Sequence, residues 1–274
     1  MYVVRKPGGR GYRMTIDVRY PNSQLVPLAG VMPVFEVVLS QLKGSSYFST
    51  LDAFKGYWQF PLHENSQEIL SFLTEDGIYT PTRLVQGCMD SVFAFQSGMR
   101  EVLGELLHRC VLLWIDDILQ HSSTFEDLLQ NLEEIFKRMD ERNVFLSPDK
   151  SQLCSRSVVW CGRRISAEGV TFDEKMVEGL MKMDKPINGQ QLQQFVCGCN
   201  WLRAGIPKFA EQMEPLYALL RKLTQQCASA KGTVLRGMKI EWTEDQLLAF
   251  KKIKQALTQL VTLSHYDEGS SSLH

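Results

Sequence analysis

The sequence predicts an α+β fold in which an antiparallel sheet carries helices on one face. Three observations support this. An apolar run from Cys110 to Ile115 is interrupted by Asp116-Asp117 and resumes at Ile118-Leu119, which reads as strand, tight turn, strand with two acids at the tip. Around that hairpin the periodicities follow the order strand, helix, hairpin, helix, strands. Near residue 170 the pattern becomes mostly helical, as expected of a helical module beyond an α+β core.

The elements follow in order. Pro33 to Leu42 reads as a short helix with proline in its first turn and Gly44 as its stop. Ser46 to Leu51 reads as a strand leading into Asp52. Met89 to Leu107 has near-helical spacing of Val92, Phe93, Phe95, Gln96, Met99, Val102, Leu103 and Leu106. Ser123-Thr124-Phe125-Glu126 is a capping-box pattern. It opens an amphipathic helix whose apolar face carries Leu128, Leu129, Leu132, Ile135, Phe136 and Met139. Ser157 to Ile165 reads as a strand pair. Helices are expected over Gln190–Leu202, Met213–Gln226 and Thr243–Leu260, with a basic loop over Ala228–Arg236.

Composition narrows the function classes. No apolar run approaches the ~18 residues of a membrane-spanning helix, so no membrane partner is expected. The seven cysteines contain no C-x-x-C, and Cys197 and Cys199 have the wrong spacing for a zinc knuckle, so buried free thiols are expected. Net charge is −1, but residues 1–20 carry +4 and residues 202–239 carry +5, leaving −10 elsewhere. Two basic segments on an otherwise acidic chain suit two walls of a polyanion groove. The first residues hold no signal peptide, and both ends read as cut from a longer chain.

The acids carry the chemistry. Two carboxylates ~4 Å apart repel by roughly 4 kcal/mol at an effective dielectric of about 20. A divalent metal is the obvious counter-charge, and carboxylates suit hard cations such as Mg²⁺. Two-metal phosphoryl transfer needs carboxylates from separate segments. Asp52 at a strand end and Asp116 at the hairpin meet that need if their strands are antiparallel neighbours.

The stretches around these acids resemble the polymerase domain of reverse transcriptases, particularly those of gypsy-like LTR retrotransposons. Tyr12 to Arg19 resembles the fingers strand, and Tyr47 to Gln59 the first catalytic motif. Leu84-Val85-Gln86-Gly87, followed by Ala94-Phe95-Gln96, resembles the nucleotide-pocket segment. Trp114-Ile115-Asp116-Asp117 resembles the Y-x-D-D box, and Leu146 to Lys150 and Val159 to Gly162 resemble the next two motifs. The similarity runs from about Lys6 to Asp267, with the motifs in family order.

The resemblance implies a right-hand polymerase fold with fingers, antiparallel-sheet palm and helical thumb, truncated before an RNase H domain. It assigns 1–45 and 60–88 to the fingers, 46–59 and 89–169 to the palm, and 170–240 to the thumb. Residues 241–274 would begin the connection to RNase H. Asp52 and Asp116 would hold two Mg²⁺ ions, with Mn²⁺ as the alternative, supported electrostatically by Asp117. Ala53 would offer its carbonyl to the nucleotide-bound metal, and Tyr57 would stand as an aromatic gate against the ribose 2′-OH. Gln86 would contact the incoming sugar and base, while Arg13 and Lys6 grip the triphosphate; Arg5 or Arg10 could replace Lys6. Lys150 would protonate the leaving pyrophosphate, and Trp160-Cys161-Gly162 would support the primer 3′ end.

The implied reaction is template-directed DNA synthesis from dNTPs on an RNA or DNA template-primer. The implied setting is a polyprotein with protease, RNase H and integrase neighbours, in cytoplasmic virus-like particles or the nucleus. Three departures qualify it. Trp114 replaces the usual tyrosine, Cys88 to Val92 replaces a small-residue turn, and Tyr79 to Arg83 is irregular. Asp90 should place negative charge near the triphosphate pocket. The alternatives are a catalytically degenerate retroelement remnant that binds nucleic acid or a partner, and another metal-dependent phosphotransferase. No Walker-A motif is present to suggest a P-loop NTPase.

Overall fold

The structure, a computed structural model, describes residues 2–5, 11–26, 28, 35–226 and 232–260 of the chain. Lys6, Arg10, Pro33, Cys227, residues 228–231 and everything beyond 260 lie outside the described residues. The chain divides into two compact units, one running to Cys161 and the other beginning at Gly162.

The first unit opens with the antiparallel pair β1 (Tyr2–Arg5) and β2 (Tyr12–Thr15), followed by the short helices α1 (Arg19–Gln24) and α2 (Phe35–Ser40). Then come β3 (Tyr47–Asp52), α3 (Glu64–Gln67), the pair β4 (Phe72–Thr74) and β5 (Gly77–Tyr79), and α4 (Ser91–Leu103). The hairpin β6 (Val111–Trp114) and β7 (Asp117–Ser122) precedes α5 (Phe125–Glu141), β8 (Gln152–Ser155) and β9 (Ser157–Trp160).

The central sheet has the order β6-β7-β3-β8 and is antiparallel throughout, as the sequence predicts. β6 reads as a continuous apolar run because it is almost wholly buried; β7 is buried from Ile118 to Ser122 although only Ile118 and Leu119 of it are apolar, with Gln120, His121 and Ser122 as buried polar residues. Helices α4 and α5 bury Phe95, Met99, Leu103, Leu128, Leu132 and Ile135 in one core with Leu51, Val111, Leu113 and Ile118 of the sheet.

Local details differ from expectation for identifiable reasons. The cap of α5 is Thr124, one residue into the expected box; its Oγ1 accepts from Asp127 N at 3.1 Å and donates to Asp127 Oδ2 at 2.6 Å. The buried stripe of α5 is Leu128, Leu132, Ile135 and Met139, while Leu129 and Phe136 are exposed. A strip of i, i+4, i+7 spacing is enough to face one sheet, and the flanking apolar positions fall outside it.

The second unit begins with the hairpin β10 (Arg163–Ser166) and β11 (Gly169–Phe172) and is otherwise helical. Its helices are α6 (Glu174–Lys182), α7 (Gly189–Trp201), α8 (Phe209–Gln225), α9 (Gly232–Leu235) and α10 (Glu244–Leu257). Residues 232–235 are therefore helical where a basic loop was expected. Leu192, Phe195, Cys199, Met213, Leu216, Phe250 and Ile253 form its core. Thr243 closes a reciprocal capping box with Gln246 at the start of α10. The six described cysteines are free thiols. No helix among the described residues is long and apolar enough to cross a membrane.

Candidate active site

The site forms where β3 ends beside the start of β7. Their antiparallel register makes Asp52 the direct partner of Asp117. Asp116 lies in the two-residue turn between β6 and β7, beside Ile115. Only one acid is therefore in the turn itself; the other starts the returning strand. Ile115 has φ 58, a left-handed conformation that costs a β-branched residue about 1–2 kcal/mol. That strain sits next to the acid that the resemblance makes catalytic.

A cavity of about 640 Å³ opens over these residues. It is lined by Tyr12, Arg13 and Met14 from β2, Asp52 through Trp58, Gln86, Asp116, Ser147 and Lys150. The structure thus brings together Arg13, Asp52, Ala53, Tyr57, Gln86, Asp116 and Lys150 from five separated stretches of chain.

Each position has a local cause. Asp52 N–H donates to Ser151 Oγ at 3.2 Å, and Asp52 O accepts from Ser147 N at 2.8 Å, so the 147–151 turn anchors the strand end. Lys150 Nζ reaches Asp52 Oδ1 at 3.1 Å and Oδ2 at 3.3 Å. The first counter-charge for this acid is therefore a lysine of the chain itself. Both groups are substantially exposed, and a pair of this kind contributes no more than about 1 kcal/mol.

The Ala53 carbonyl accepts from Gly56 N at 3.2 Å, which leaves one lone pair for another ligand. Tyr57 lies in a short 3₁₀ turn over Gly56–Gln59 and stacks on Phe95 with centroids 5.0 Å apart. A side chain at position 56 would meet the Phe95 ring at 3.0 Å, so glycine permits this approach. Burial, and then the Asp116 carboxylate, push the Tyr57 phenol above its ordinary pKa.

Asp117 does not line the cavity. Its Oδ2 accepts from Cys161 Sγ at 3.3 Å. Burial raises the Asp117 pKa above the usual carboxylate range; the Asp116 and Asp52 carboxylates add to this and the thiol hydrogen bond opposes it. Burial and Asp117 together push the Cys161 thiol up. Among the described residues, no group of three His, Cys, Asp or Glu side chains is gathered closely enough to hold a metal ion. The hard oxygen donors that fit such an ion are the Asp52 and Asp116 carboxylates and the Ala53 carbonyl.

Other expected residues lie elsewhere. Lys6 is outside the described residues. Trp160 is buried and stacks on Phe35 at 5.6 Å, and Trp114 packs edge-on against the same Phe35 at 4.9 Å. Cys161, at φ 48, touches the site only through Asp117. Gly162, at φ 70, begins the second unit. Asp90 is not in the cavity: its Oδ1 accepts from Leu28 N at 3.1 Å, and Asn22 holds the neighbouring Gly87 O and Met89 N. Its charge therefore ties down the preceding segment rather than facing the pocket. Sequence reasoning missed Tyr12, Met14, Phe54, Lys55, Gly56, Trp58 and Ser147 as wall residues, although each falls inside a stretch that carries the resemblance.

Comparison with known proteins points to one family. The sequence model of the family described as "Reverse transcriptase (RNA-dependent DNA polymerase)" matches residues 4–165. The Transposon Tf2-3 polyprotein of Schizosaccharomyces pombe is 26% identical over 267 residues, which cover 97% of this chain and 19% of the polyprotein. The Retrovirus-related Pol polyprotein from transposon 412 of Drosophila melanogaster is 28% identical over 256 residues, covering 93% of this chain and 20% of its own. The chain thus spans about a fifth of the length of these curated relatives. Among solved structures, a foamy viral protease-reverse transcriptase with double-stranded DNA superposes with TM-score 0.82 at 26% identity, covering 98% of this chain and 45% of that one. A foamy viral protease-reverse transcriptase with an RNA/DNA hybrid gives 0.81 at 26% identity, covering 98% of this chain and 34% of that one.

Proposed function

The chain belongs to the reverse transcriptase (RNA-dependent DNA polymerase) family, and on that premise we propose that its first unit extends a primer by metal-assisted nucleotidyl transfer. The family and the fold that it shares with the foamy viral enzyme are those of RNA-directed DNA polymerases. The finer reading rests on one observation. A single cavity is lined by both Asp52 and Asp116, together with Arg13, Tyr57, Gln86 and Lys150.

The primer 3′-oxygen would attack the α-phosphorus of a dNTP while the bond to pyrophosphate breaks. Asp52, Asp116 and the Ala53 carbonyl would hold two Mg²⁺ ions, or Mn²⁺ in their place, with Asp117 as an electrostatic support. Bound Mg²⁺ would supply a lowered pKa at the attacking hydroxyl and neutralise triphosphate charge. The chain's own share is positioning and charge stabilisation. Arg13 would clamp triphosphate oxygens through its planar fork. Gln86 would meet the incoming sugar and base. The Tyr57 ring, fixed by its stack on Phe95, would exclude a 2′-hydroxyl by bulk. Lys150, already turned into the cavity by Asp52, would deliver a proton to the leaving pyrophosphate.

The partners would be an RNA or DNA template-primer and dNTPs. The relatives are transposon polyproteins, which suggests a setting beside protease, RNase H and integrase segments. Residues 170–240, the expected thumb, lie within the second unit and would track phosphates without reading sequence. Cys161 would support the primer end only indirectly, through Asp117, while Trp160 and Gly162 would shape the turn beneath it.

Primer extension on poly-rA with oligo-dT and Mg²⁺ tests this reading. Incorporation by the chain and its loss in Asp116→Asn are expected. Equal incorporation by both would refute the site. No incorporation by the folded chain would favour the degenerate remnant.

A further inference from the structure

A second cavity of about 620 Å³ shares Phe54, Lys55 and Trp58 with the catalytic cavity but extends away from the carboxylates. Its remaining wall includes Arg83, Arg142 and Phe145, and no acidic residue lines it. Three cations and three aromatic rings therefore face one space. The rings are open to solvent: Phe145 is 62% exposed, Phe54 51% and Trp58 36%. Exposed aromatics of this size are costly to leave in water unless they have a use.

The framework is fixed from within. Gln59 Nε2 donates to the carbonyls of Phe54 at 2.7 Å and Phe145 at 2.9 Å, and its Oε1 accepts from Phe145 N at 2.6 Å. Arg83 donates to Gln59 O at 3.0 Å. Arg142 has one exposed partner, Glu101 at 3.1 Å, and Lys55 lies over the Phe54 ring at 5.4 Å. Arg142 is thus paired with a carboxylate from outside the cavity, and no acidic side chain in the lining itself offsets Lys55 or Arg83.

We propose that this cavity binds single-stranded nucleic acid, with bases stacking on Phe54, Trp58 and Phe145 and phosphates meeting Lys55, Arg83 and Arg142. Alternating cations and π-faces are what a flexible polynucleotide needs, because every base offers a face and every linkage a charge. A small anion would have no use for the rings, and an apolar peptide none for the cations. The choice of a nucleic acid rests on the polymerase reading, and the shared wall would let a strand pass from one cavity to the other.

Fluorescence anisotropy with labelled oligonucleotides of about 10 nucleotides, within the range of known single-strand site sizes, tests it on the full chain. DNA and RNA oligonucleotides form separate arms. None of the substituted residues lines the catalytic cavity. Phe145→Ala should weaken binding at least about fivefold, the lower end of one base–aromatic stack. Arg83→Gln with Arg142→Gln should flatten the slope of log affinity against log salt by about 1.4, about 0.7 for each phosphate that is no longer neutralised. Arg83 also anchors a backbone carbonyl, so Arg142→Gln alone, at an exposed position, guards against misfolding and should flatten the slope by about 0.7. Unchanged affinity and slope in Phe145→Ala and Arg142→Gln would overturn the proposal. So would inorganic triphosphate competing as well as the oligonucleotide. If the chain does not extend primers but these binding losses appear, the groove stands and the polymerase reading falls.

Discussion

The two units of this chain handle backbone strain differently. In the first, Lys55, His108, Ile115, Asn143, Cys154 and Cys161 have positive φ; in the second, among the described residues other than glycine, only Lys208 does. Three of the first group matter to the site. Lys55 lines the cavity, Ile115 adjoins Asp116, and Cys161 holds Asp117. The second unit is built of regular helices with caps such as Asn188 and Thr243 and an apolar core. Strained turns that persist must be over-determined by their surroundings, and they cluster where side chains have to be aimed. The difference teaches that the first unit uses its stability to place groups, while the second uses its packing to remain folded.

The sharpest test exchanges charge for shape in the first unit. Asp116→Asn and Asp52→Asn keep the side-chain volume and should each cut primer extension by about a thousandfold, or about 4 kcal/mol of barrier. The melting temperature should move by no more than a few degrees, because both carboxylates sit at the edge of the fold. A large loss of stability in either variant would mean that the acids are structural, and the contrast between the units would fail.

The complementary change belongs to the second unit. Leu216 is fully buried in the helical core. Leu216→Ala should cost about 2–5 kcal/mol through lost transfer energy and a residual cavity. Hydrogen exchange read separately over residues 162–260 and 46–161 would localise the loss. If protection fell equally in both units, the chain would unfold as one body and the division would have no energetic meaning.

Much of the first unit was legible because its chemistry requires local patterns. The apolar–acid–apolar run gave the hairpin, and Asp52 at a strand end gave its neighbour; the register then placed Asp52 opposite Asp117. What escaped depends on long-range geometry. Nothing in the spacing said that Asp117 would turn to Cys161, 44 residues on. Asp90 read as a charge in the pocket because it follows Gln86, but its partner Leu28 is 62 residues away. Leu129 and Phe136 looked like core because periodicity marks an apolar face, not the width of the surface that covers it. Strands β1, β4, β5, β8 and β11, three or four residues each, were too short to show a period by themselves and were missed, whereas the equally short β9 and β10 lie in one stretch that read as a strand pair.

Acid should separate the units further. His121 lies in the buried face of β7, with Nδ1 2.8 Å from Ser45 Oγ, and burial lowers its pKa from 6.5 to about 4. The unfolded chain takes up a proton there below pH ~6.5 and the folded chain does not, so stability falls as pH drops through that window. The loss levels off below about pH 4 and reaches about 3 kcal/mol. Urea titrations of the chain and of His121→Gln at pH 7 and pH 4 would check this. The variant should lose less stability than the native chain over the same interval. Equal losses would place the acid sensitivity elsewhere.

The smallest effect bears most directly on strain. Ile115 at φ 58 costs about 1–2 kcal/mol relative to a right-handed conformation. Ile115→Gly relieves that cost but adds about 0.5–1 kcal/mol of backbone entropy to be lost on folding, and it removes a half-buried side chain. These terms nearly cancel, so stability should change by less than about 1 kcal/mol. Primer extension should nevertheless fall about tenfold, because a glycine turn no longer fixes Asp116 against Asp52 and small misplacements at a reacting centre are expensive. Ile115→Asn, which tolerates the left-handed region, should keep more activity than the glycine variant. A stability loss above about 2 kcal/mol with activity retained would make Ile115 a packing residue, and the strain in this turn would then have no part in aiming the acid.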